Sequence, residues 1–386
     1  MHLTVGRGRT ARRAYGFDEI AIAPSTLTID PEDTDISTSI GDVKLDVPIL
    51  AAAMDGVVDV RLAAEMGHLG GLAVLNLEGV QARYEDPVAV IDRITSVSPE
   101  EVVPLIQEIY REPIKEELIR RRIREMKESD ITVAVSSSPL NAERFGTIAA
   151  EEGVDLFVVQ VTVTSVKFES SRASALSLEK LCAMLPMPVV AGNCVTYEAA
   201  LELMQTGVKG ILVGVGPGAA CTTRRVLGIG VPQVTAVADA AAARNEYLAA
   251  TGNYVAVIAD GGMRTGGDIC KAVASGADAV MIGSPIAGAA EAPGRGYHWG
   301  MATASPGLPR GTRIRVGELG TLKDILFGPA KTDDGTLNFV GALKTCMGTC
   351  GKRSIQELQQ VEIVIAPSLP SEGKAKQHEQ HVGMGK

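Results

Sequence analysis

The chain has 386 residues with 37 Lys and Arg against 46 Asp and Glu, and the formal net charge of −9 argues against nucleic-acid binding because an acidic surface repels phosphates. No stretch approaches the roughly 20 apolar residues that span a bilayer, no apolar core follows Arg7, Arg9, Arg12 and Arg13 as a secretory signal requires, and six cysteines are too sparse for a disulfide scaffold, so reduced thiols in a cytoplasm are expected. Aromatics at 4%, within a hydrophobic fraction of 46% and beside 42 glycines, exclude an aromatic-rich β-sandwich and favour buried parallel strands.

Short apolar runs of strand length, rich in β-branched residues and bounded by turn residues, recur at 47–51, 72–76, 131–136, 156–161, 188–193, 210–215, 255–261 and 279–284. Helical patterns at 60–66, 196–206, 235–251 and 265–275 fall between them. Eight strands with intervening helices predict an α/β fold, the (β/α)8 TIM barrel; a doubly wound sheet would absorb six of the runs and leave two over. Two stretches interrupt the repeat. After the second strand, 77–130 is too long for a crossover and reads as a helical insertion, with amphipathic helices over 99–127 broken at Pro113. There Arg120, Arg121, Arg122 and Arg124 lie in a segment that also carries Glu116, Glu117 and Glu125, which reads as a solvated helix face. After the eighth strand, 287–341 is rich in Gly, Pro and Arg and reads as a mobile flap on the catalytic face. We expect one catalytic domain over 1–370 and a flexible polar tail over 371–386.

In such a barrel the chemistry sits at the C-terminal ends of the strands, with phosphate after strands seven and eight. Strand six runs into Gly214-Val-Gly216-Pro-Gly218-Ala-Ala-Cys221-Thr-Thr223-Arg224-Arg225. Alternating glycines let the backbone approach a ligand or an ion, and neighbouring cations raise the thiolate fraction of a cysteine. Cys221 is therefore either a nucleophile or a small residue buried in a glycine-rich turn. Strand seven ends in Asp260-Gly261-Gly262, a carboxylate for a ribose diol followed by amides for phosphate, and strand eight ends in Gly283-Ser284. Asn193 at the end of strand five either touches substrate or caps the next helix. Strand one leads to Met54-Asp55, and Gly300-Met301-Ala302 precedes Leu308-Pro309-Arg310-Gly311-Thr312-Arg313 in the flap. The Cys346-Met-Gly-Thr-Cys350 spacing leaves a redox pair open; with only His68 and His298 in the body of the chain, a zinc site has little to draw on.

Taken together, these residues resemble the IMP dehydrogenase and GMP reductase family. The resemblance runs from Phe17-Asp18-Glu19-Ile20 and Ala53-Met54-Asp55 through Gly70-Gly71, Ala191-Gly192-Asn193, the Cys221 loop, Ala259-Asp260-Gly261-Gly262, Gly283-Ser284 and Gly300-Met301 to Gly348. It is similar in particular to the subfamily of cyanobacteria and actinobacteria that lacks the CBS pair, since 77–130 is too short and too helical to hold one. The resemblance implies that Cys221 adds to C2 of IMP, that NAD takes the hydride, and that water then releases XMP from a thioimidate. It implies substrate contacts from Ala53, Met54, Ala219, Asp260, Gly261, Gly262, Gly283, Ser284, His298, Gly300, Met301 and Ala302. It also implies cofactor contacts from Thr162, Asn193, Gly214 and Gly216, a monovalent-cation site (potassium) at Gly216, Gly218 and Cys221, water orientation by Thr223 and water activation by Arg310. A homotetramer or octamer is implied as well.

The pattern departs from the family at four places. Ala219 stands for a phosphate-binding serine, and His298 for an aromatic phosphate ligand. Gln160-Val-Thr162 replaces an Asp-Ser-Ser that touches cofactor, and Arg310-Gly311 replaces an Arg-Tyr pair; a shift of register would pass the arginine's role to Arg313 or Arg315. Three functions therefore compete: NAD-dependent oxidation of IMP, NADPH-dependent reduction of GMP, and purine-nucleotide binding by a catalytically silent regulator. A long flap bearing Arg310 points to the first.

Overall fold

The computed structural model describes residues 2–167, 176–300, 313–368 and 371–385. All eight expected runs are strands: β1 (Ile49–Ala51), β2 (Leu72–Asn76), β3 (Ala134–Ser137), β4 (Leu156–Gln160), β5 (Val189–Cys194), β6 (Gly210–Val213), β7 (Ala256–Asp260) and β8 (Ala279–Ile282). They are parallel and close into one barrel in sequence order, with β8 pairing β1. The expected run 210–215 stops at Val213 because Gly214 turns away at φ 152°.

Alternation along each strand decides which side chains fill the barrel. Leu50, Leu72, Val74, Leu156, Val158, Val190, Leu212, Ile258 and Met281 point inward into one buried cluster. Ala51, Ala73, Leu75, Phe157, Val159, Ile211, Val213, Val257 and Val280 belong to the larger layer between barrel and helices. The hairpin of Thr38–Ile40 with Val43–Leu45 adds Ile40, Val43 and Leu45 to the inner cluster. Ile40 Cγ2 lies 3.2 Å from where a side chain on Gly210, the first residue of β6, would stand. The hairpin therefore plugs the N-terminal end and leaves the C-terminal end for ligands.

The first helix, α1 (Val60–His68), is capped by Asp59, whose side chain accepts from the Leu62 amide. After β2 come α2 (Pro87–Ser96), α3 (Pro99–Ile109) and α4 (Glu116–Lys127), with Pro113 in the break between the last two. The four arginines of α4 meet carboxylates: Arg120 with Glu151, Arg121 with Glu85, Arg122 with Glu125 and Arg124 with Glu152. Arg122 departs from a solvated face. It is buried, and it also donates to the carbonyls of Gln81 and Glu85. Beyond the barrel, α5 (Ala142–Glu151), α6 (Leu178–Met184), α7 (Tyr197–Met204), α8 (Thr223–Leu227), α9 (Gln233–Thr251), α10 (Gly266–Ala274) and α11 (Ser284–Ala287) complete the ring. After β8 the strand Tyr297–His298 pairs antiparallel with Ile314–Arg315, then α12 (Leu322–Phe327) and α13 (Phe339–Thr349) follow. Where composition indicated a flexible tail, a short helix forms at Ala375–Gln380, with Lys376 paired to Glu379 one turn on. Among the described residues no helix is long and apolar enough to cross a membrane.

The insertion builds a second core of Val80, Ile91, Ile94, Val102, Ile106, Tyr110 and Trp299. A hydrogen-bond chain runs through it. Trp299 Nε1 donates to the Tyr110 hydroxyl at 2.8 Å, that hydroxyl donates to Asp55 Oδ2 at 2.6 Å, and the Val80 amide donates to the same oxygen at 2.7 Å. The helices thereby hold the loop after β1 to the segment after β8. Trp299→Ala is expected to cost about 3–5 kcal/mol in urea unfolding, and Tyr110→Phe about 1–3 kcal/mol because buried polar partners lose a bond. Unchanged unfolding midpoints in both variants would mean that this core carries no stability.

Candidate active site

The loop after β6 is shaped by backbone that passes too close for side chains. A Cβ on Gly214 would stand 2.3 Å from the Asp260 carbonyl oxygen, and one on Gly216, at φ 75°, would stand 2.5 Å from Arg224 Cγ. Arg224 threads the loop and donates from Nε to the Val215 carbonyl at 3.0 Å and from Nη2 to the Val231 carbonyl at 2.7 Å. It braces the loop from inside rather than reaching for the thiol. Cys221 is exposed, which removes the reading of a buried turn residue. Its thiol donates to Thr223 Oγ1 at 3.2 Å, and its amide donates to the Gly218 carbonyl at 3.1 Å. Thr223 is buried at the start of α8. Ala219 is exposed beside the cysteine.

This loop rests on the turn after β7. Positions for a Cβ on Gly261 and Gly262 lie 3.4 Å and 3.0 Å from Pro217, and both glycines have positive φ. The Gly261 amide is spent on the Met281 carbonyl at 3.0 Å, which leaves anion contact here to Gly262. Asp260 stands half-buried at the mouth. Its Oδ2 accepts from Asn193 Nδ2 at 2.7 Å and from Gln160 Nε2 at 2.9 Å. Burial pushes its carboxyl up to about 6, against the two amide donors, which favour the charged form.

At β8, Met54 Sδ lies 3.1 Å from the Cβ position of Gly283, so the ends of β1 and β8 touch, with Ala53 buried beneath. Ser284 Oγ is 2.9 Å from His298 Nε2. His298 is buried, which lowers its pKa to about 4 and keeps the ring neutral near pH 7, and its Nδ1 has no partner among the described residues. Thr162 lies half-buried on a lip beyond β4, where the Val161 amide donates to the Gly192 carbonyl and the Asn193 amide to the Val161 carbonyl, both at 3.0 Å. Gly300 is half-buried at the start of the flap. Met301, Ala302 and Arg310 lie outside the described residues. Arg313 is committed elsewhere: it donates to the carbonyls of Ile94 and Val97 at the end of α2 and stacks 4.7 Å over the Tyr297 ring.

The sequence profile of the IMP dehydrogenase / GMP reductase domain matches residues 14–303. The chain belongs to the IMP dehydrogenase / GMP reductase family. An "uncharacterized oxidoreductase" of Mycolicibacterium smegmatis (strain ATCC 700084 / mc(2)155) is 40% identical over 94% of this chain and 99% of that protein. An inosine-5'-monophosphate dehydrogenase of Methanocaldococcus jannaschii is 26% identical over 93% of this chain and 94% of that protein. The crystal structure of an IMP dehydrogenase/GMP reductase-like protein from Corynebacterium glutamicum superposes with a TM-score of 0.89 at 36% identity, covering 94% of this chain and 97% of that one. The family membership makes this chain an oxidoreductase.

Two glutamines at the barrel mouth make contacts that the sequence does not announce. Gln160, at the end of β4, donates from its amide to Asp260. Gln233, at the first turn of α9, is buried and donates from Nε2 to the Val213 carbonyl at 2.6 Å and the Asp260 carbonyl at 3.2 Å, which ties the ends of β6 and β7. Its Oε1 has no partner among the described residues. Neither a glutamine at a strand end nor one at a helix start signals such a contact. Gln160→Leu removes a donor that favours the Asp260 carboxylate, so the Asp260 titration is expected to move above its midpoint of about 6. Carboxylate 13C shifts, assigned with Asp260→Asn, measure it; an unmoved midpoint would show that the amide does not act on the acid.

Proposed function

We propose that the protein oxidises IMP to XMP with NAD through a covalent intermediate on Cys221. The observation that carries this reading is the exposed Cys221 thiol, bonded to Thr223 on a loop seated on the Asp260-Gly261-Gly262 turn. Asp260 would bind the ribose diol in its ionised form, above about pH 6. Gly262, Gly283, Ser284 and neutral His298 would hold the phosphate, with the Ser284–His298 hydrogen bond orienting the serine where Ala219 lacks a hydroxyl. Ala53, Met54 and Gly300, with Met301 and Ala302, would line the base.

In this reading the Cys221 sulfur adds to C2 of the purine as N3 takes a proton, and C2 then gives up its hydride to leave a thioimidate. Water adds at C2, the carbon–sulfur bond breaks, and XMP departs with the thiol restored. Thr223, within 3.2 Å of the sulfur, would orient that water, and Arg310 would take its proton. NAD supplies the hydride acceptor. Thr162, Asn193, Gly214 and Gly216 would meet its carboxamide with neutral amide and hydroxyl groups. The carbonyls of Gly216, Gly218 and Cys221 are hard oxygen donors of the kind a potassium ion takes. Val226, Leu227 and Ile229, exposed directly after the cysteine at 56%, 44% and 48%, support assembly into a homotetramer or octamer that covers them. A cytoplasmic setting fits the free thiols.

One observation favours GMP reduction with NADPH as the second reading. Arg313 is bound to α2, so of the arginines weighed for water activation only Arg310 and Arg315 are left. Incubation with IMP and NAD is expected to produce reduced cofactor, followed by its absorbance. Consumption of NADPH with GMP, and no NADH from IMP at any potassium level, would reverse the assignment. Cys221→Ala is expected to lower turnover by about 10³-fold or more while IMP still binds in calorimetry. Full turnover in that variant would refute the covalent route.

A further inference from the structure

Away from the barrel mouth, three cysteines that the proposed chemistry does not use meet between α10 and α13. The two helices touch where Gly266 has no side chain: a Cβ there would lie 2.4 Å from Ala342 Cβ. One turn further along each helix brings Cys270 opposite Cys346. Cys270 Sγ also reaches the Ala342 carbonyl at 3.6 Å, which fixes its thiol in the seam. Cys350 follows Cys346 by one more turn and points its thiol to the Ala23 carbonyl at 3.8 Å. Cys270 and Cys350 are buried, Cys346 is half-buried, and all three are free.

Cys346 stands between Cys270 across the seam and Cys350 one turn on along α13, and it is the one of the three that is only half-buried. Donors near a sulfur favour its thiolate, and the neighbouring thiols, Cys270 foremost, hold the Cys346 thiol below its ordinary range while burial pushes Cys350 up to about 11. The half-buried Cys182, without such donors, is also pushed up to about 11. The trio is not arranged as a metal cage: no group of three or more His, Cys, Asp or Glu side chains among the described residues is placed to hold an ion.

We propose that Cys346 is a peroxide-reactive thiol and that Cys270 captures its oxidised form as a disulfide joining α10 to α13. The Cys346 thiolate attacks one oxygen of hydrogen peroxide, the O–O bond breaks, hydroxide leaves, and the sulfur becomes a sulfenic acid. The Cys270 sulfur then attacks that sulfur, an S–S bond forms, its proton joins the departing hydroxyl, and water leaves. Two thiols lose two electrons in all and one peroxide becomes two waters. Cys270 is the partner because it lies across the helix seam, with its sulfur 3.6 Å from the Ala342 carbonyl one turn before Cys346, whereas Cys350 shares the helix of Cys346. Cys346 and Cys350 share one helix face, where Cβ vectors run side by side, and the Cys350 amide remains bonded to the Cys346 carbonyl at 3.0 Å.

The test uses the full chain carrying Cys221→Ser, so that the exposed thiol does not enter the map. After hydrogen peroxide treatment and alkylation, non-reducing peptide mapping is expected to show a Cys270–Cys346 linked peptide lighter by two hydrogen atoms. Cys270→Ser should leave Cys346 as a sulfenic acid that dimedone traps, and Cys346→Ser should abolish the linkage with the fold unchanged by circular dichroism. Cys182 is the internal control, and oxidation of Cys346 should outrun it by about tenfold or more. Equal rates at the two cysteines, or a Cys346–Cys350 peptide in place of the expected one, would overturn the proposal. The readout is mass alone, so it stands or falls independently of which purine reaction the barrel performs.

Discussion

The site depends on two stretches of backbone lying against each other, the loop after β6 and the turn after β7. The approach is closest at Gly214, where any side chain would strike the Asp260 carbonyl. It continues where Pro217 and Gly218 lie over Gly261 and Gly262. Gln233 bonds both edges of the contact, through the carbonyls of Val213 and Asp260. Because the thiol-bearing loop and the carboxylate-bearing turn are packed as one unit, Cys221 and Asp260 keep a fixed relation without any side-chain contact between them.

A second constraint comes from outside the barrel. The helices after β2 look like decoration on a TIM barrel, yet they supply Tyr110, whose hydroxyl joins Asp55 to Trp299. They also supply the α2 carbonyls that hold Arg313. The loop after β1 and both described ends of the flap are thus anchored to one satellite core.

A neutral amide at Gln160 sets the electrostatics at the mouth. A carboxylate there would repel Asp260, and burial already pushes Asp260 up to about 6. A neutral amide instead donates to it and to Asn193 Oδ1, so three side chains from β4, β5 and β7 form one network. The same neutral preference governs His298, which burial holds uncharged beside Ser284.

The strand count, the parallel barrel and the family were legible because buried β-branched runs and glycine-rich turns are local signals: the strand period and the φ > 0 positions belong to each segment by itself. The sequence also marked Cys221, Asp260 and the Gly283-Ser284 turn by residue type at strand ends. It did not determine that Arg224 would brace the loop, that Arg122 would be buried, that Gln160 and Gln233 would bind Asp260 from two sides, or that Cys270 would meet Cys346. Those contacts join residues far apart in the chain through flexible polar or thiol side chains with no periodicity to announce them. Only the closing of the barrel and the packing of its helices decided which of them would touch.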